Sequence, residues 1–263
     1  MIGIVGGVGP YAGLDLATKI CDQTLAHSDQ EHLPVVLLSV PHTIADRTAF
    51  LLGQTPVNPA YALAAVICQL EAVGATVVGI PCNTAHSPRI FDVILAELAA
   101  AGSRVQVVHM IRETARFLAE HPQRPRRVGV LCTTGTARTR VYQEALAAFG
   151  MAALLPDDPT QEAVQAAIYD PTYGIKAQAH PVTARAQQQL RQAAQHLLEQ
   201  GAEALVLGCT EIPLALSALP GEPVPVIDPT LILARALIRE TYPARLKPLS
   251  EASHAHPASH TSS

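Results

Sequence analysis

Short apolar, β-branched runs alternate along the chain with longer Ala- and Leu-rich stretches whose apolar positions recur every three or four residues. The short runs, Ile2–Val5, Val35–Val40, Thr76–Ile80, Val105–Met110, Val128–Leu131 and Ala204–Leu207, have the length and make-up of buried strands. The longer ones predict helices over Ala12–Ala26, Pro59–Val73, Pro88–Ala101, Thr114–His121, Thr139–Phe149, Thr183–Gln200 and Leu231–Glu240. Strands that are apolar throughout, alternating with helices, predict an α/β fold of parallel sheets covered by helices on both faces.

The same plan occurs twice. Gly74-Ala75 leads through an apolar strand to Cys82, and Gly201-Ala202 leads through another to Cys209, 127 residues later. Upstream, Ile2-Gly3-Ile4-Val5 enters a Gly-rich turn as Val128-Gly129-Val130-Leu131 enters Thr133-Thr134-Gly135-Thr136, at an offset of 126. A duplicated unit predicts two pseudo-symmetric lobes with a cleft between them, because ligands of such sheets bind outside the carboxyl ends of the strands. Gly102 and Ser103 break the helical pattern, which sets an N-terminal lobe at 1–103 and a C-terminal lobe at 104–214. Pro223–Glu240 reads as a strand and helix that return to complete the first lobe over about 215–246. Residues 247–263 are polar, Pro- and Ser-rich and aperiodic, the pattern of a disordered tail; its three histidines are read as solvated, not as a metal site.

Composition narrows the classes of function. The 263 residues are 49% hydrophobic and 15% charged, enough apolar content for a folded chain. A net charge of −4 with scattered Lys and Arg gives no footprint for a nucleic-acid backbone. The longest apolar stretches, Ala75–Ile80 and Ala202–Leu207, are far short of a membrane span. The opening MIGIVGGVGP has no basic leader, and the five cysteines are odd in number and irregularly spaced. Together these predict reduced thiols in a cytoplasm, with small molecules as partners.

Cys21, Cys68 and Cys132 fall inside apolar patterns and are expected to pack as small hydrophobes. Cys82, in Pro81-Cys82-Asn83-Thr84-Ala85-His86, and Cys209, in Gly208-Cys209-Thr210-Glu211-Ile212-Pro213, instead follow equivalent strands. Thiols on opposite walls of a cleft suit inversion of a carbon stereocentre, one sulfur removing a proton and the other supplying one to the opposite face. The carbanion needs donors around the substrate carboxylate, and Asn83, Thr84, Thr133, Thr134, Thr136 and Thr210 are available. His86, four residues after Cys82, reads as a structural residue at the start of a helix.

The two cysteine motifs, with Gly6-Gly7-Val8-Gly9-Pro10 and Thr133-Thr134-Gly135-Thr136, resemble the aspartate/glutamate racemase family over residues 1 to 246. That resemblance implies amino-acid racemisation without pyridoxal phosphate, other cofactor or metal, in a two-lobed homodimer. It implies that Cys82 and Cys209 are the acid/base pair, with Gly9, Asn83, Thr84, Thr210 and Glu211 about the substrate's carboxylate and amine. Arg47, in Thr43-Ile44-Ala45-Asp46-Arg47-Thr48, matches the family's arginine for a distal carboxylate, and Lys176 its lysine. Val8 stands where many relatives have Met, and Tyr11-Ala12-Gly13 also departs from the pattern, which leaves aspartate against glutamate open.

Other readings stay in view. They are a two-cysteine relative of the hydantoin racemase or maleate isomerase type, a non-catalytic protein that binds acidic amino acids, and a zinc hydrolase built on Cys82, His86 and Cys209. Gly7-Val8-Gly9-Pro10-Tyr11-Ala12 formally fits a dinucleotide-binding turn, but Val35–Val40 meets no acidic residue until Asp46.

Overall fold

The computed structural model describes residues 1–216 and 224–249, so the expected tail beyond Leu249 and the Pro223 end of the last expected strand lie outside the described residues. The first half runs β1 (Ile2–Gly6), α1 (Pro10–Asp22), β2 (Val35–Ser39), α2 (Arg47–Leu51), α3 (Ala60–Ala72), β3 (Val77–Gly79), α4 (Pro88–Ala100), β4 (Gln106–Val108) and α5 (Met110–Glu120). The second runs β5 (Arg127–Cys132), α6 (Thr134–Arg138), α7 (Val141–Ala147), β6 (Ala152–Leu154), α8 (Asp158–Tyr169), α9 (Ala184–Glu199), β7 (Ala204–Gly208), α10 (Ile212–Ala215), β8 (Val226–Ile227) and α11 (Pro229–Thr241).

The strands form two four-stranded parallel sheets, in the orders β2-β1-β3-β4 and β6-β5-β7-β8. These orders are the same, strand for strand, so the predicted repeat is a repeat of topology. It extends to close packing. A Cβ on Gly3 of β1 would lie 2.9 Å from Ala75 and 3.5 Å from Leu70. One on Gly129 of β5 would lie 3.1 Å from both Ala202 and Leu197. In each half a bare glycine lets the helix before the cysteine-bearing strand press onto the sheet.

Two boundaries differ from the sequence reading. β4 pairs with β3 through Val77↔Gln106 to Gly79↔Val108, so the strand just past residue 103 belongs to the first sheet. β8 pairs with β7 through Leu205↔Val226, so the returning strand completes the second sheet and not the first. Strand pairing is set by backbone geometry that hydropathy does not encode, and both are short edge strands at the ends of their sheets.

The helices that follow these edge strands change sides. α5 leaves the first sheet and buries Ile111, Ala115 and Leu118 with Val128 and Val130 of β5. α11 leaves the second sheet and buries Leu233, Leu237 and Ile238 with Ile2 and Ile4 of β1. Each half thus covers the other's sheet, and the lobes are held together by their own cores. Lys19 of α1, buried, adds an ion pair to Asp15 and another to Asp228 at 2.5 Å, at the N-cap of α11. Burial opposes that charge, but Asp228 and Asp15 outweigh it and raise the Lys19 pKa. Among the described residues no helix is long and apolar enough to cross a membrane.

Because Leu237 is fully buried in this exchange, Leu237→Ala is expected to cost about 3 kcal/mol by urea unfolding. Leu95→Ala on exposed α4 surface should change stability by less than about 0.5 kcal/mol.

Candidate active site

β3 ends at Gly79, and two residues carry the chain to Cys82, where a single 3-10 turn, Asn83–His86, begins. β7 ends at Gly208 with Cys209 directly after it, and α10 starts three residues on. The equivalent strands therefore deliver their sulfurs to the same end of the molecule. Both cysteines are buried and line one small, tight cavity. Asn83 and Thr84 follow Cys82 into its wall; Thr210 and Glu211 follow Cys209; Arg47, Thr133 and Lys176 close it.

Charge is distributed unequally about the two sulfurs. The Cys209 thiol donates to Glu211 Oε2 at 2.9 Å, and Glu211 Oε1 holds an ion pair with Lys176. Burial raises the Cys209 pKa, and the neighbouring Glu211 charge raises it further, so this sulfur carries its proton. Burial works against the Glu211 charge too, but Lys176 and the Cys209 hydrogen bond bring its pKa below the ordinary value. Lys176, whose side chain keeps 26% exposure, reaches inward over the Tyr169 ring, with its ammonium 5.2 Å from the centroid. Its burial is outweighed by Glu211 and Tyr169, and its pKa is raised.

Cys82 faces a cation. The Arg47 guanidinium lies beside it, and although burial opposes the Arg47 charge, Cys82 and Asp46 raise its pKa. The guanidinium is not an open fork. One terminal nitrogen donates to the Val8 carbonyl at 2.9 Å, the other to the Ala45 carbonyl at 3.4 Å, and Nε is buried without a partner. Asp46 aims this arginine by capping α2, accepting from the Ala49 amide at 2.8 Å and from the Tyr169 hydroxyl at 3.1 Å.

The threonines are less free than their spacing suggests. Thr84 lies 2.9 Å from Thr136 and 3.3 Å from Thr133, hydroxyl to hydroxyl, and Thr48 donates to Thr133 at 3.3 Å. This network stitches the first half to the second. Thr133 and Thr84 still border the cavity; Thr136 lies behind them, and the Thr134 amide donates away, to Gln165. Gly9 borders a wider outer chamber instead, which shares Arg47, Lys176 and Glu211 with the inner cavity. Its φ is +129°, and a Cβ there would come within 2.8 Å of Glu211 Oε1, so the position takes only glycine.

His86 is structural in its contacts. Buried, it donates from Nδ1 to the Cys82 carbonyl at 2.9 Å and stacks on Phe91 at 5.2 Å. Burial pulls its pKa down to about 4, so the ring is neutral. Cys132 is buried as expected, its thiol pushed up to about 12, but Cys21 is exposed on α1, where an outward helix position outweighs its apolar character. Among the described residues no three His, Cys, Asp or Glu side chains are grouped as metal ligands. Sequence reasoning did not find Tyr169, which lies in no motif, and it met Asp46 and Thr48 only as neighbours of Arg47.

Two duplicated α/β sheets with a thiol at each equivalent strand end, both lining one cavity, define a two-lobed protein. The chain belongs to the Asp/Glu/hydantoin racemase family, whose model matches residues 5–237. It is 29% identical over 246 residues to the broad specificity amino-acid racemase RacX of Bacillus subtilis, covering 90% of this chain and 96% of that one. Over 170 residues it is 32% identical to the glutamate racemase of Pseudomonas aeruginosa, 63% of this chain and 58% of the relative. The solved aspartate racemase of Picrophilus torridus matches with a TM-score of 0.78 at 28% identity, covering 96% of each chain. The protein is accordingly a racemase, an isomerase with the fold that the repeat predicts.

The His86 environment has a thermodynamic consequence. With a folded pKa of about 4 against 6.5 ordinarily, the unfolded chain takes up the proton first as pH falls. The contribution is complete above about pH 6.5 and is lost on the way down to pH 4, about 3 kcal/mol in all. His109, pulled down to about 2 by burial and by the His86 and Arg112 charges, acts in the same direction. Thermal unfolding should show Tm falling across this range, with a shallower slope in His86→Gln.

Proposed function

We propose that this racemase inverts the α-carbon of an acidic amino acid, aspartate or glutamate, by a two-base thiol mechanism needing no cofactor. The observation that carries the reading is the opposed setting of the two sulfurs in one cavity, one against a guanidinium and the other hydrogen-bonded to a carboxylate. Arg47 balances the negative charge of Cys82 acting as base, while Cys209 holds the proton that it delivers to the other face. Product release then leaves the roles exchanged, and Lys176 lies near enough to answer the charge left at Cys209.

Removing the α-proton pushes charge onto the substrate carboxylate. The Asn83 amide and the Thr84 and Thr133 hydroxyls at the wall are the groups placed to hold it, while the Thr210 hydroxyl donates to Glu211 Oε2 at 3.3 Å. The unpartnered Arg47 Nε gives a distal carboxylate a donor without desolvating a new charge. The same reading takes the enzyme to be a cytoplasmic homodimer of two-lobed chains, serving D-amino-acid metabolism.

A second substrate reading has its own observation. The outer chamber beyond Arg47 and Lys176 is lined by Tyr11, Ile44, Ile175 and Leu214, room for a larger apolar side chain, and RacX is a broad-specificity enzyme. A panel of L- and D-amino acids, acidic, basic and aromatic, followed by chiral chromatography without added pyridoxal phosphate, decides between them. The expected result is racemisation of at least one acidic pair, with Cys82→Ser and Cys209→Ser each lowering kcat about a thousandfold. Preference for large neutral side chains favours the second reading. Activity undiminished in both variants contradicts the mechanism.

A further inference from the structure

Tyr142, on α7, is the largest of the fully buried side chains, at 1% exposure. No motif marks it, yet it touches both cysteine loops. Its hydroxyl donates to Asn83 Oδ1 at 2.5 Å, reaching from the second half of the chain to the residue after Cys82. A Cβ on Gly208, the residue before Cys209, would meet the Tyr142 ring at 3.1 Å. One aromatic ring therefore lies between the two loops that carry the thiols.

In this bond the Asn83 amide turns its Oδ1 toward Tyr142. With Oδ1 held by the hydroxyl, Nδ2 is turned the other way; it is buried, has no partner, and belongs to a residue that borders the thiol cavity. A buried N–H pair without an acceptor is costly in a folded protein and is explained when a ligand supplies one. Burial raises the Tyr142 pKa well above its ordinary value, which keeps the hydroxyl protonated as a donor.

We propose that Tyr142 is a positioning residue, whose hydroxyl orients Asn83 to donate Nδ2 to the α-carboxylate of the bound amino acid and whose ring spaces the two cysteine loops. The proposal rests on the racemase reading for its ligand, but not for the Tyr142–Asn83 contact itself. Tyr142→Phe keeps the ring and removes only the donor.

The test is a double-mutant cycle with Asn83→Ala, read in KM and kcat, beside the side-chain amide resonances of Asn83 in 15N-labelled protein. Tyr142→Phe is expected to raise KM about tenfold while lowering Tm by only a few degrees, and to have no further effect on KM in the Asn83→Ala background. The Asn83 amide resonances should shift on adding the racemised amino acid to wild type, and should be displaced and insensitive in Tyr142→Phe. Equal losses in both backgrounds, or Asn83 resonances unchanged by Tyr142→Phe, overturn the proposal. If wild type racemises nothing, the functional reading fails, and the ligand-free resonances alone decide whether Tyr142 holds Asn83.

Discussion

Two sulfur atoms can work on one carbon only if two separate sheets hold still relative to each other across the gap between them. The fold meets that constraint by duplication. Identical strand orders put Cys82 and Cys209 at matching strand ends, and parallel strands aim both ends the same way. Exchange of α5 and α11 then makes each half part of the other's core, so separating the lobes would expose Ile111, Leu118, Leu233 and Leu237. The threonine network ties the Cys82 loop to the second half of the chain, and Tyr142 packs between the two cysteine loops.

On this symmetric frame the charges are not symmetric. Arg47 belongs to α2 and stands by Cys82, whereas Glu211 and Lys176 stand by Cys209. Two sulfurs in identical settings would be indistinguishable as acid and base in the proposed reaction. Here the carboxylate at Cys209 takes the thiol hydrogen bond and holds the proton on that side. The ion pair to Lys176 keeps the carboxylate ionised despite its burial, as buried charges require.

Much of this was legible before any coordinates. The matched cysteines stand out because strand length and spacing survive in hydropathy, and the repeat of glycine, strand and cysteine points to facing lobes. Element boundaries were harder. α5 begins at Met110, capped by the His109 ring accepting from the Arg112 amide, inside a run read as strand to Met110 and helix only from Thr114. α8 was missed although Asp157 caps it and Pro159 sits in its first turn, because its buried face is only Val164, Ala167 and Ile168. Tyr169 with Asp46, 123 residues apart, and Tyr142 with Asn83, 59 apart, were invisible for a different reason. Such pairs exist only after the lobes meet, and no local pattern records them.

The claim that both sulfurs act on the same carbon is tested most directly by where deuterium goes in the first turnovers. In D2O, starting from one enantiomer, the account predicts that the product carries deuterium at Cα while recovered starting material does not. The proton removed by one thiolate is never the one returned by the other. Product that retains the original hydrogen, or deuterium appearing equally early in recovered starting material, would show a single base at work and contradict the account.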